Sequence, residues 1–387
     1  MKCHSIIYLT LAFCSLAFSA MPQSTTSVDN AQSELIKRAD SLMVNYKFEN
    51  ALSVLTKGDS MNRDILLRIG QCNFRLGTSG PAIRPYERVL KMDSSNITAL
   101  NHLGLLYARE GDFKKALSSF IQLIKLDPTN SYYCKQAGSM ASRMEDMVTA
   151  KFWFRKALNY NPSDGEASLA LGNILMELEE YQSVDSIVQL ALAVDPQFKP
   201  MLVLRAKSAF EQEHYESVVI TLNNLLTKSD TTALYARMLG VSYFHLQEYT
   251  KLTSCMNFLL KNRYEQEWIY YYMGVASREL GDVPASINWF KQAAQKSISE
   301  NTKIYYTELG QSYEQAGDYQ GAIRAYRAAY TYSKDGILLY HLARNYDTYY
   351  KDKTLATEYY KKYLESDDTI RRTKEYARKR LQDMGHF

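Results

Sequence analysis

A chain of 387 residues and 44.5 kDa is too long for one ordinary compact domain, and 46% hydrophobic with 23% charged residues is a globular composition, not a disordered one. The formal charge of +4 supplies no concentrated basic face, which excludes wholesale binding of nucleic acid. Eight Pro and 17 Gly over this length disfavour frequent tight turns and favour long helices.

At the N-terminus, Lys2 precedes SIIYLTLAFCSLAF, an apolar run shorter than the roughly 18 to 20 residues that span a bilayer. Ala17-Phe18-Ser19 then fits a small-x-small cleavage rule. Residues 1–20 are therefore expected to be a secretory signal peptide, cut after Ser19 or Ala20, followed by a flexible mature terminus over 21–30. Cys14 follows Phe13, where a lipoprotein signal has a small residue, so no lipid anchor is expected. No later stretch is apolar and long enough to cross a membrane. Export implies the periplasm in a bacterium, with outer-membrane association open, and secretion otherwise. Cys72, Cys134 and Cys255 remain, an odd number whose spacing suits neither a disulfide framework nor a CxxC metal site; they are expected to be small buried hydrophobes.

Next comes a pattern that recurs. With Ile97 as position 1, Leu103, Gly104 and Tyr107 take positions 7, 8 and 11, and Ala116, Phe120 and Pro128 take 20, 24 and 32. Thirty-four residues on, Ala137, Gly138, Ala150, Phe154 and Pro162 fall in register, then Leu171, Gly172, Val184, Val188 and Pro196. Thirty-four residues back lie Ile69, Gly70, Ala82 and Tyr86. Later copies keep Ala206, then Leu239, Gly240 and Tyr243, then Met273, Gly274 and Phe290. After two extra residues, Asn301 and Thr302, come Leu309, Gly310, Tyr313, Ala322 and Tyr326.

This pattern resembles the tetratricopeptide repeat, a helix–turn–helix unit of 34 residues. The resemblance implies an all-α fold, a right-handed superhelical solenoid of stacked antiparallel helix pairs. About ten units are expected over 31–365, at about 32–62, 63–96, 97–130, 131–164, 165–198, 199–232, 233–266, 267–300, 303–335 and 336–365. The small residues at 8 and 20 let the paired helices approach, with the large residues at 11 and 24 beside that contact. Gly in the inter-helix turn accepts positive φ, and Pro128, Pro162 and Pro196 end their helices. Residues 366–387 are expected to form a polar capping helix.

No motif for catalysis stands out. The histidines form no HxxH, HExxH or Cys/His cluster, so no metal site is expected. There is no P-loop, no GxSxG elbow and no GxGxxG after a strand; GTSG at 77–80 suits an inter-helix turn. No cofactor is expected either, and the chain is read as a non-enzyme.

In the resembled family the first helix of each pair, helix A, lines a concave groove, and its positions 2, 5, 9, 12 and 13 meet the ligand. Carried onto this chain, position 13 gives Arg75, Arg109 and Arg143 in three consecutive repeats. Such a ladder can grip carboxylates along an extended acidic segment. Positions 2, 5 and 12 give Phe74, Phe210, Phe244, Trp268, Tyr271 and Tyr340, aromatic residues outside the expected core face. The family's terminal-carboxylate clamp is not matched: Lys135 is at position 5, but Ser139 is at 9. The expectation is a scaffold of the cell envelope that holds a protein or extended peptide, an acidic one if the ladder is used, and docks to an envelope assembly or secretion complex. A glycan-binding outer-membrane accessory protein is the alternative, disfavoured by only three Trp and no long insertion.

Overall fold

A computed structural model describes residues 23–226, 232–297, 300–367 and 370–385; the expected signal peptide lies outside these. Among the described residues there are 21 helices and no strand. The chain divides after Ser183 into two units.

The first unit holds α1 (Gln23–Val44), α2 (Phe48–Leu55), α3 (Arg63–Arg75), α4 (Ser79–Met92), α5 (Ile97–Arg109), α6 (Phe113–Leu126), α7 (Ser131–Arg143), α8 (Met147–Tyr160), α9 (Gly165–Glu177) and the start of α10 (Tyr181–Val194). The A helices α3, α5, α7 and α9 begin 34 residues apart, and so do the B helices α4, α6 and α8. Each A helix through α7 pairs with the B helix after it, and that B helix packs on the next A helix. The segment 21–30 differs from expectation: it is helical from Gln23 onward, as the opening turns of α1.

Two local devices close the hairpins. In two hairpins of this unit an Asp at position 16 caps the B helix: Asp112 accepts from the Lys115 amide at 3.1 Å and Asp146 from Thr149 at 3.0 Å. One residue earlier the backbone turns left-handed. Gly77 and Gly111 occupy that site at φ 78° and 80°, but Glu145 and Glu179 do so too, at 61° and 57°. The GTSG stretch is such a turn, as expected.

The core contact is more direct than the sequence suggests. A Cβ added at Gly104 would come within 2.8 Å of the Phe120 ring, and one at Gly138 within 3.0 Å of Phe154. Gly70 faces Tyr86 in the same way. The ring at position 24 thus lies on the bare face of the glycine at 8, sixteen residues earlier, and not beside it. Ala82, Ala116 and Ala150 are fully buried next to this stack. Burying a side chain such as Phe120 completely contributes about 1.5–3 kcal/mol. Helices α6 and α8 stop at Leu126 and Tyr160, so Pro128 and Pro162 follow the C-caps and prevent continuation.

In the second unit α10 runs on to Val194, two residues before Pro196. After it come α11 (Lys199–Glu211), α12 (Tyr215–Leu226), α13 (Ala233–His245), α14 (Tyr249–Lys261), α15 (Glu267–Glu279), α16 (Val283–Lys296), α17 (Thr302–Gln315), α18 (Tyr319–Tyr332), α19 (Gly336–Tyr349), α20 (Thr354–Glu365) and α21 (Arg371–Asp383). The glycine–ring stack returns at Gly274 with Phe290 and at Gly310 with Tyr326, while Gly240 meets Met256. Of the two inserted residues, Thr302 joins α17 and Asn301 precedes it as the N-cap residue. The last pair is closed by α21, which buries Ala377 and Leu381 while most of its other residues stay wet.

Candidate functional site

In the first unit, Arg75, Arg109 and Arg143 are the final residues of α3, α5 and α7, where the helix dipole favours a cation. All three are exposed, and among the described residues none reaches a carboxylate. The second rung is anchored nonetheless. The Arg109 guanidinium lies 4.9 Å above the Phe74 ring, which meets His102 edge-on at 5.1 Å. Phe74 is half-buried against its own core. It serves as a platform for the arginine on the next A helix.

Arg68 and Lys135, also on A helices of this unit, are already committed. Arg68 makes two hydrogen bonds to Asp40, at 2.6 and 2.9 Å. Lys135 is held by Asp164 at 2.9 Å and Glu166 at 3.0 Å, both at the N-terminal end of α9, and their charges neutralise it. Burial alone pushes the Asp164 carboxyl up, but the bonds from Lys135 and the α9 amides outweigh it and hold its pKa low.

The second unit assembles aromatic residues across three repeats. Phe210 on α11 meets Tyr215 at 6.3 Å, and Tyr215 stacks flat on His245 at 4.1 Å. Phe244 follows at 5.3 Å from His245 and 4.9 Å from Tyr272, and Tyr272 lies 6.1 Å from Trp268. Arg237 covers the Trp268 ring at 5.5 Å. Phe210, Phe244 and Trp268 are half-buried, each packed in part against the core.

Tyr271 lies 5.5 Å from Tyr272, which joins it to this group, and it also meets Phe290 and Tyr305, at 6.0 and 5.6 Å; burial raises its hydroxyl pKa. One expected contact is placed elsewhere. Tyr340 is 8% exposed and packs on Tyr363 and Tyr376 at 5.3 and 5.9 Å. It belongs to the core of the final repeat, because α21 covers the face that a further repeat would otherwise meet. Tyr215 and Tyr272 escaped the sequence reading, since neither occupies a ligand-facing position of the frame. Arg205 escaped too, although its register gives it away: it takes position 7, an aliphatic site in neighbouring repeats.

Residues 97–130 match a family model described as tetratricopeptide repeat, and residues 278–337 match a second model of the same description. Among solved structures, a tetratricopeptide repeat protein from Parabacteroides merdae ATCC 43184 is 15% identical, with a TM-score of 0.45 over 65% of this chain and 98% of that one. Pseudomonas aeruginosa PilF is 19% identical, with 0.42 over 57% and 99%. MamA of AMB-1 is 18% identical, with 0.39 over 43% and 99%. No curated protein matches the chain.

Proposed function

Because this chain is a tetratricopeptide-repeat protein, we propose that it is a non-catalytic scaffold of the cell envelope, holding an extended acidic segment of a partner protein on its A-helix face. The observation that carries this reading is the row of exposed arginines on α3, α5 and α7. They lack carboxylate partners among the described residues, while Arg68 and Lys135 are neutralised. A guanidinium held at each repeat matches carboxylates spaced along an extended chain. The envelope rests on the N-terminal apolar segment with its small-x-small end; docking to an assembly or secretion complex extends the same reading. No described helix is long and apolar enough to cross a membrane.

The test is capture from native envelope extract with the wild-type chain beside an Arg75→Glu, Arg109→Glu, Arg143→Glu variant of unchanged helicity. A specific partner retained by wild type and lost by the variant supports the reading. Equal retention moves the contact surface away from the ladder, and capture of no protein removes the scaffold function.

A further inference from the structure

Position 7 of the frame is Ile69, Leu103, Ala137, Leu171, Leu239, Met273 and Leu309 in seven repeats; in the unit at 199–232 it is Arg205. In the same helix, position 11 is Ala209, where Tyr107 and Tyr243 stand in other copies. A core aliphatic has become a cation, beside a small residue at position 11 that Ala141 also supplies at 131–164. Next to them is a cavity of about 440 Å³, within the ordinary range for a small-molecule site. Val188, Leu192 and Ala209 give it an apolar wall; Arg205, Asp185 and Gln212 give it polar groups.

The polar groups are arranged, not scattered. Nε of Arg205 donates to Oγ1 of Thr221 at 3.1 Å, and Thr221 is itself 1% exposed, which fixes the plane of the guanidinium. Its two terminal amino groups meet no carboxylate among the described residues. Asp185 makes no ion pair with Arg205. Its oxygens are taken by Ser208 Oγ at 2.8 Å and Gln212 Nε2 at 3.1 Å, and Ser208 is fully buried. A planar two-donor fork beside an apolar wall suits a carboxylate on a hydrocarbon body.

We propose that this cavity binds a small aliphatic carboxylate, with the acid bidentate on the terminal nitrogens of Arg205 and the hydrocarbon against Val188, Leu192 and Ala209. It is distinct from the arginine row on α3, α5 and α7. It needs no partner protein.

The test is calorimetric titration of the full chain with 4-methylpentanoate. Two further probes separate the contributions: 3-methylbutylamine has a similar body with the opposite charge, and acetate has the head without the body. The acid is expected to bind, acetate at least tenfold more weakly, and the amine not at all. Arg205→Leu restores the residue type other repeats use, so it keeps the helical signal and melts no lower than wild type, yet binding falls at least tenfold. Arg205→Lys, a point cation without the fork, weakens binding to a lesser degree. Unchanged affinity in Arg205→Leu, equal binding of the amine, or no heat from the acid at up to about 10 mM at either of two temperatures, each overturns the proposal.

Discussion

Arg380 on α21 grips Asp347 on α19 with two hydrogen bonds, Nε to Oδ2 at 2.9 Å and Nη2 to Oδ1 at 3.1 Å. The carboxylate also takes Lys353 Nζ at 3.3 Å, and its side chain is only 8% exposed. The capping helix is thus fastened by charge to the helix of the preceding pair, as well as by Ala377 and Leu381. Arg380→Ala leaves a nearly buried carboxylate with one cation, at a cost of about 1–3 kcal/mol. Because α21 has little other apolar anchorage, the loss is expected as faster amide exchange throughout α21, with slower exchange retained in α17 and α18.

That contact has a pH signature. Burial raises the pKa of Asp347, but the hydrogen bonds from Arg380 and Lys353 lower it further, leaving it below 3.8. A carboxyl depressed in the folded state adds stability that is present above its unfolded pKa and lost as pH falls through the folded one. Wild type and Asp347→Asn should therefore differ in melting temperature by a constant amount above about pH 5 and converge on acidification below about pH 4. A gap that stays constant to pH 3 would show that the charge of Asp347 contributes nothing.

At Gly104 the added methyl of alanine meets three atoms of the Phe120 ring at 2.8 to 3.2 Å. The ring is fully buried and cannot swing into solvent. Helices α5 and α6 must separate, so Gly104→Ala is expected to destabilise by about 1–3 kcal/mol despite alanine's better helix propensity. Urea melts read it, and a gain in stability would show that the ring at position 24 moves freely.

Glu145 gives the opposite sign. Its φ of 61° strains a side chain, its carboxylate is exposed, and Gly111 and Gly281 take the equivalent turn at 80° and 86°. Glu145→Gly should stabilise by about 0.5–1 kcal/mol, the left-handed penalty less the added freedom of the unfolded chain. A melting temperature at or below wild type contradicts this.

The helix pairs were legible because the repeats carry local signals: a small residue at 8, a turn at 15 and 16, and in three of them a proline after helix B. Those are local in sequence and recur in phase. What escaped the reading depends on neighbours. A single helix face shows Tyr340 as a second aromatic stripe; only the presence of α21 makes it core. The stack of Tyr215 on His245 joins a B helix to the following A helix, residues 30 apart that no one-helix projection relates. Leu at position 11 of one repeat and Ala at the same place in another look alike as tolerated variation. The meaning of Ala209 emerges once Arg205 is seen beside it.

The buried thiols of Cys72 and Cys134 carry one more consequence. Both are fully covered, and burial lifts the Cys72 thiol to about 11, so neither meets a water-borne alkylating reagent while its repeat is closed. Cys255, also raised by burial to about 11, lies partly covered in the second unit. The chain therefore contains its own clocks: the labelling rates at Cys72 and Cys134 each time the opening of one hairpin, with the partly covered Cys255 as the faster reference.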